Sequence, residues 1–200
     1  MKKKTNLAQS LPSAQLSFGR EFDSKPKRRL FFGIWPDEGA TGRLARLAVQ
    51  LRDDAIMPGR PVDADRLHIT LHHLGDFADQ IPSNLVPAAC TAAATVVTQP
   101  FEAVFDRVGG TRGSFLLRAS DELVAMRAFR QVLSTALIKA GLRDRIHSAF
   151  NPHVTLSYDF SDVPERTIDS IGWTVRQFVL IESLLGEHRH IERGRWSIRS

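Results

Sequence analysis

The chain has 200 residues, 42% hydrophobic and 24% charged, which suits one globular domain with a sizeable core and argues against a disordered or fibrous protein. No run of about 18 apolar residues occurs, so no membrane span is expected. The lone cysteine, Cys90, excludes an intramolecular disulfide and a Cys-rich metal site, and it fits a reducing cytoplasm. The net charge of +5 is unevenly spread: residues 1–29 hold eight Lys/Arg and two acids, leaving 19 Lys/Arg and 20 acids for residues 30–200.

Residues 1–28, with Lys2-Lys3-Lys4 and scattered Ser, Pro and Gln, read as a disordered basic tail. Such an arm can bind nucleic acid by releasing counterions, or can simply be solvated. Arg29 to Trp35 is an apolar strand closed by Pro36. Asp37 caps a helix over about 38–54, with Leu44, Leu47, Ala48 and Leu51 on one face. A strand over about 66–74 ends at Gly75-Asp76. Ser83 or Asn84 opens an Ala-rich helix to Val97. A hairpin of strands follows, about 101–108 and 114–119, turning at Gly109-Gly110 and Gly113. Ser120 is placed to cap a long helix stopped by Gly141. A strand over about 151–159 is followed by a loop from Phe160 to Asp169, the alternation Ile171, Trp173, Val175, an apolar strand Phe178–Leu185, and a terminal strand Arg195–Arg199.

Two of these strands repeat one pattern. Leu67-His68-Ile69-Thr70-Leu71 and Pro152-His153-Val154-Thr155-Leu156 stand 85 residues apart. Side chains alternate faces along a strand, so each copy buries its aliphatic residues and presents a histidine beside a threonine on the other face. A lone His-x-Thr is usually a solvated pair; two copies with matching flanks point to a duplicated unit. Strands and helices mix without strict alternation, which favours an α+β fold. The expected form is a single bilobal domain, 29–200, with two pseudo-symmetric lobes, about 29–99 and 100–200. Each lobe has a largely antiparallel sheet with helices outside, and a cleft runs between them.

Two imidazoles and two hydroxyls around one cleft suit phosphoryl chemistry. One neutral histidine takes a proton from the attacking oxygen while the other, protonated, gives one to the leaving oxygen. The threonines hold the non-bridging oxygens. No carboxylate at ligand spacing accompanies the histidines, so no metal or other cofactor is expected.

The paired motifs resemble those of the two-histidine phosphoesterase superfamily. The opening strand, the run Leu67 to Gly75, Phe150 to Leu156 and the closing Trp196 resemble its RNA 2′,3′-cyclic phosphodiesterase branch, the 2′-5′ RNA ligase-like family, over about residues 29–199. The resemblance implies opening of a 2′,3′-cyclic phosphate at an RNA 3′ end or on a nucleotide to a 2′-phosphate. It implies His68 as acid, His153 as base, and Thr70 and Thr155 as phosphate anchors. By residue type alone, the acid and base roles stay open.

Two departures bear on substrate. Where the family often carries an aromatic and an arginine, five residues beyond each motif histidine, this chain has His73 and Tyr158. Both are candidate substrate contacts, though Tyr158 supplies no fixed charge, and His73 reads equally as an inward-packing strand end. Asn151 also stands where an Arg is common. Arg143, Arg145, Arg189 and Arg193 are the cations the cleft could borrow, with plain surface roles the simpler reading. His72 shares parity with His68 and either lines the cleft or is solvated. His147 falls in a loop, and His188 and His190 are expected in solvent. The alternatives are a phosphoesterase for another small cyclic nucleotide, or a non-catalytic nucleotide- or RNA-binding module. A cytoplasmic monomer is expected.

Overall fold

The computed structural model describes residues 25–111, 113–159 and 161–199. The expected basic tail lies outside these residues as far as residue 24. Its last two residues are already tied into the sheet: Lys27 donates its N–H to Phe77 and accepts from Leu185.

Eight strands and three helices follow in the order β1 (Arg28–Ile34), α1 (Glu38–Asp53), β2 (Ile69–Phe77), α2 (Leu85–Ala94), β3 (Phe101–Thr111), β4 (Ser114–Arg118), α3 (Val124–Lys139), β5 (His153–Ser157), β6 (Val163–Val175), β7 (Gln177–Leu184) and β8 (Arg189–Ser197). All strands join one antiparallel sheet in the order β6-β3-β4-β5-β2-β1-β7-β8. The α+β fold read from sequence is therefore the fold found. The chain's midpoint does not divide the sheet: β7 and β8, from the second half of the sequence, pair onto β1.

Three helices form near the expected positions, with α2 ending at Ala94 rather than Val97 and α3 starting later than expected, and their apolar sides share one core with a single face of the sheet. Asp37 accepts from the Ala40 N–H at 2.7 Å as the cap of α1, whose buried stripe is Ala40, Leu44, Ala48 and Leu51. In α3 the stripe is Met126, Phe129, Leu133 and Leu137. On the opposite face, Phe31, Val179 and Ile181 form a small cluster of their own. None of the described helices is long and apolar enough to cross a membrane.

Three local expectations are corrected. Ser120 does not cap α3. Its N–H and hydroxyl are taken by Asp106, and the helix starts at Val124 after Leu123 in a left-handed conformation. Gly109 and Gly110 are strand residues rather than turn residues. A Cβ at Gly110 would stand 2.8 Å from the Ser161 carbonyl, and one at Gly109 would stand 3.0 Å from Glu165 Cα, so glycine here permits β6 to approach. Most of the expected loop 160–169 is therefore strand, the outer part of β6, whose polar residues reflect an exposed edge.

Candidate active site

Strands β2 and β5 touch through one residue pair, Ile69 opposite Val154. These are the middle residues of the two His-x-Thr motifs, and both are fully buried. The antiparallel register through this pair sets His68 across from Thr155 and Thr70 across from His153. The motifs thus form a square with like residues on its diagonals, about a pseudo-twofold axis at the sheet's centre.

Each histidine is oriented by its own strand. His68 Nδ1–H donates to the Arg66 carbonyl at 2.6 Å, and His153 Nδ1–H donates to the Asn151 carbonyl at 2.7 Å. In both motifs the acceptor lies two residues upstream. With Nδ1 protonated, Nε2 is the basic nitrogen of each neutral ring. The two imidazoles are held in the same tautomer by the same device.

Beyond the threonines both strands carry a bulge, and both at the third residue after the histidine. Pairing with β1 skips Leu71, and pairing of β5 with β4 skips Leu156. One extra residue exchanges the faces of everything after it. His72 is therefore neither cleft-lining nor solvated: it is buried behind the sheet, where its Nε2–H donates to Ser134 Oγ at 2.9 Å. Ser157, its counterpart, is buried and donates to the Pro58 carbonyl at 2.7 Å. The same bulges turn His73 and Tyr158 to the cleft side.

The resulting cleft has a volume of about 630 Å³. It is lined by all six residues singled out from sequence: His68, Thr70, His73, His153, Thr155 and Tyr158. It also takes Arg29, Phe31, Arg66, His188 and His190, which sequence reasoning missed or set aside. Arg66 could have been found from its place two residues before His68, although it sits in the short turn Ala64–Arg66 ahead of β2 and not on the strand. His188 and His190 could not, because only the pairing of β8 through β7 onto β1 brings them here. The four arginines considered from sequence do not line the cleft. Arg145 donates to the Leu74 carbonyl at 2.6 Å, Arg193 is paired with Glu182, and Arg189 is paired with Glu187.

Two of the imidazoles lining the cleft, His68 and His190, are held uncharged by burial. His68 is pushed down to about 4, first by burial, with His153, Arg66 and Arg29 adding to the effect. His190 is also pushed down to about 4 by burial beside His68 and Arg66. Phe31 packs on His68 with ring centroids 4.8 Å apart, and His190 meets the same ring edge-on at 5.2 Å. Arg29 makes two bonds to Asp76, 2.7 and 2.9 Å, and His73 Nε2 approaches the same carboxylate at 2.8 Å. Asp76 is held down to about 2, mainly by Arg29. Among the described residues no cluster of three or more His, Cys, Asp and Glu has the spacing to hold a metal ion.

The 2′-5′ RNA ligase superfamily profile matches residues 35–187. The chain belongs to this superfamily. Its fold is similar to that of E. coli LigT in its apo form, with TM-score 0.70 and 23% identity over 88% of this chain and 100% of that one. A phosphoesterase gives TM-score 0.67 and 23% identity over 86% and 99% of the two chains. A protein of Thermus thermophilus gives 0.69 and 22% over 86% and 98%. No curated protein sequence matches the chain.

Proposed function

We propose that the protein hydrolyses 2′,3′-cyclic phosphates, at RNA ends or on nucleotides, to 2′-phosphates without a metal ion, and that His68 and His153 are the proton-transfer groups. One observation carries the reading. Two imidazoles, each pinned through Nδ1 and basic at Nε2, stand at opposite corners of a square whose other corners are hydroxyls. In-line displacement at phosphorus needs a base on the side of the entering water and an acid on the side of the leaving ribose oxygen. Thr70 and Thr155 are suited to hold the two non-bridging oxygens between them.

The pair works in its singly protonated form. Burial keeps the His68 imidazole neutral. If His68 is the acid, as the family resemblance implies, the arriving phosphate anion must raise its proton affinity first. Superfamily membership supports phosphodiester chemistry. Solved complexes of E. coli LigT with 3′-AMP and with phosphate support a nucleotide in a cleft of this fold. A cyclic phosphodiesterase of small nucleotides is the competing reading, motivated by Tyr158 standing where the family has arginine. A pure binding module has no use for two free basic nitrogens.

The test is turnover of 2′,3′-cyclic AMP and of a short RNA with a cyclic phosphate end, in EDTA, with products resolved as 2′- or 3′-phosphates. Release of the 2′-phosphate from both is expected. Turnover of the nucleotide alone selects the competing reading, and 3′-phosphate products contradict both.

A further inference from the structure

A second hollow, of about 350 Å³, adjoins the cleft and shares Arg66, Tyr158 and His188 with it. Its remaining lining, Arg60, Pro61, Val62 and Asp63, comes from the segment before β2. That segment is fixed where β2 and β5 part. Val62 N–H donates to the Leu156 carbonyl at 2.7 Å, Pro61 bridges to Ser157, and Ser157 Oγ holds the Pro58 carbonyl. The hollow is thus a formed wedge between the two motif strands.

The charge balance singles out Arg66. Of the arginines lining the two hollows, Arg29 is paired with Asp76 and Arg60 with Asp63 at 3.0 Å. Arg66 has no carboxylate partner among the described residues. Its one side-chain hydrogen bond among the described residues is from Nη1 to His188 Nδ1 at 3.2 Å, and its Nε is sealed from solvent without a partner there. His188 reaches it from the β7–β8 turn in a left-handed conformation, φ 51°, which a histidine adopts at a cost. An unpaired guanidinium with donors to spare, at the boundary of two hollows, is a site for one phosphate anion. Beside it Tyr158 is 60% exposed, a flat ring open to stacking.

We infer that the side hollow is a second nucleotide subsite: it takes the penultimate nucleotide of an RNA end, with Arg66 on the phosphodiester joining it to the terminal residue and Tyr158 stacked on its base. This rests on the proposed function and makes chains of at least two nucleotides its preferred substrates.

The experiment compares kcat/KM for 2′,3′-cyclic AMP with that for the dinucleotide ApA bearing the same cyclic end, in the native chain, Arg66→Gln and Tyr158→Leu. The dinucleotide is expected to be favoured at least about tenfold, the scale of one stacked base. Each substitution should bring the ratio towards one, and Arg66→Gln should also reduce the salt dependence of dinucleotide binding by about one ion. Equal values for both substrates in the native chain, or a preference surviving both substitutions, would overturn the subsite and leave the proposed function standing. Turnover of neither substrate would overturn the proposed function instead. Calorimetric affinities for the same two molecules would then decide the subsite by the same ratio.

Discussion

Thr70 and Thr155 each stand across the β2–β5 contact from a histidine and line the cleft, which suits them to a phosphate bridging His68 and His153. Thr70→Val and Thr155→Val keep shape and remove one donor apiece. A hydrogen bond to a charged group contributes about 1.5–3 kcal/mol, so each change is expected to lower kcat/KM about ten- to a hundredfold while serine at either position retains most of the rate. A valine variant with native kinetics would remove that threonine from the phosphate site. The lowered proton affinity of His68 also sets the pH response. Catalysis needs one unprotonated imidazole in the pair, and burial lets His68 lose its proton at about 4, so kcat/KM should rise through about pH 4 rather than near 6.5. An acid limb near 6.5 would mean that His68 is not buried as described. These residues were legible because two imidazoles in matching apolar runs have a simple period. His190 was not legible, since its place beside His68 depends on a pairing between distant strands.

At the scale of elements, the bulges at Leu71 and Leu156 decide what the cleft contains. A strict period of two places His72 in the cleft and His73 behind it, and the structure has the reverse. Nothing in the run Leu71-His72-His73 announces a bulge, because each residue tolerates either face. Helix α3 supplies the explanation. Arg130 donates to the Leu71 carbonyl at 2.9 Å, the group that the bulge removes from the ladder, and its other nitrogens reach carbonyls of residues 147–149 ahead of β5. One side chain therefore ties both motif strands to one helix, with its guanidinium over the Phe150 ring at 4.7 Å. Arg130→Met keeps the packing stem but leaves these acceptors unpaired. A loss of about 3 kcal/mol in stability is expected, with a fall in kcat although no cleft atom changes. Urea unfolding alongside steady-state kinetics checks both, and native stability would show that the carbonyls find other partners.

For the whole molecule, three histidines held neutral by burial tie the fold to pH. His68, His72 and His190 are each lowered to about 4, whereas in the unfolded chain they titrate near 6.5. Between those values the unfolded chain binds more protons than the folded one, so stability rises with pH through this window and is lost as pH falls from 6.5 to 4. The urea midpoint should drop over that range, and less steeply in His72→Gln, which can still bond Ser134. A flat profile would contradict the burial of these rings. The α+β class and the helices were readable from hydrophobic period, helped by a cap only at Asp37 of α1. The sheet order was not, because joining β7 and β8 to β1 is a long-range choice that local pattern does not encode.

The central claim is that His68 and His153 act together on a cyclic phosphate, and kcat/KM for 2′,3′-cyclic AMP in EDTA with the native chain, His68→Ala, His153→Ala and the double variant tests it most directly. Members of one proton-transfer pair are strongly non-additive, so each single change should cost about a thousandfold or more and the double little beyond either. Either single variant keeping a substantial share of the native rate would contradict the account.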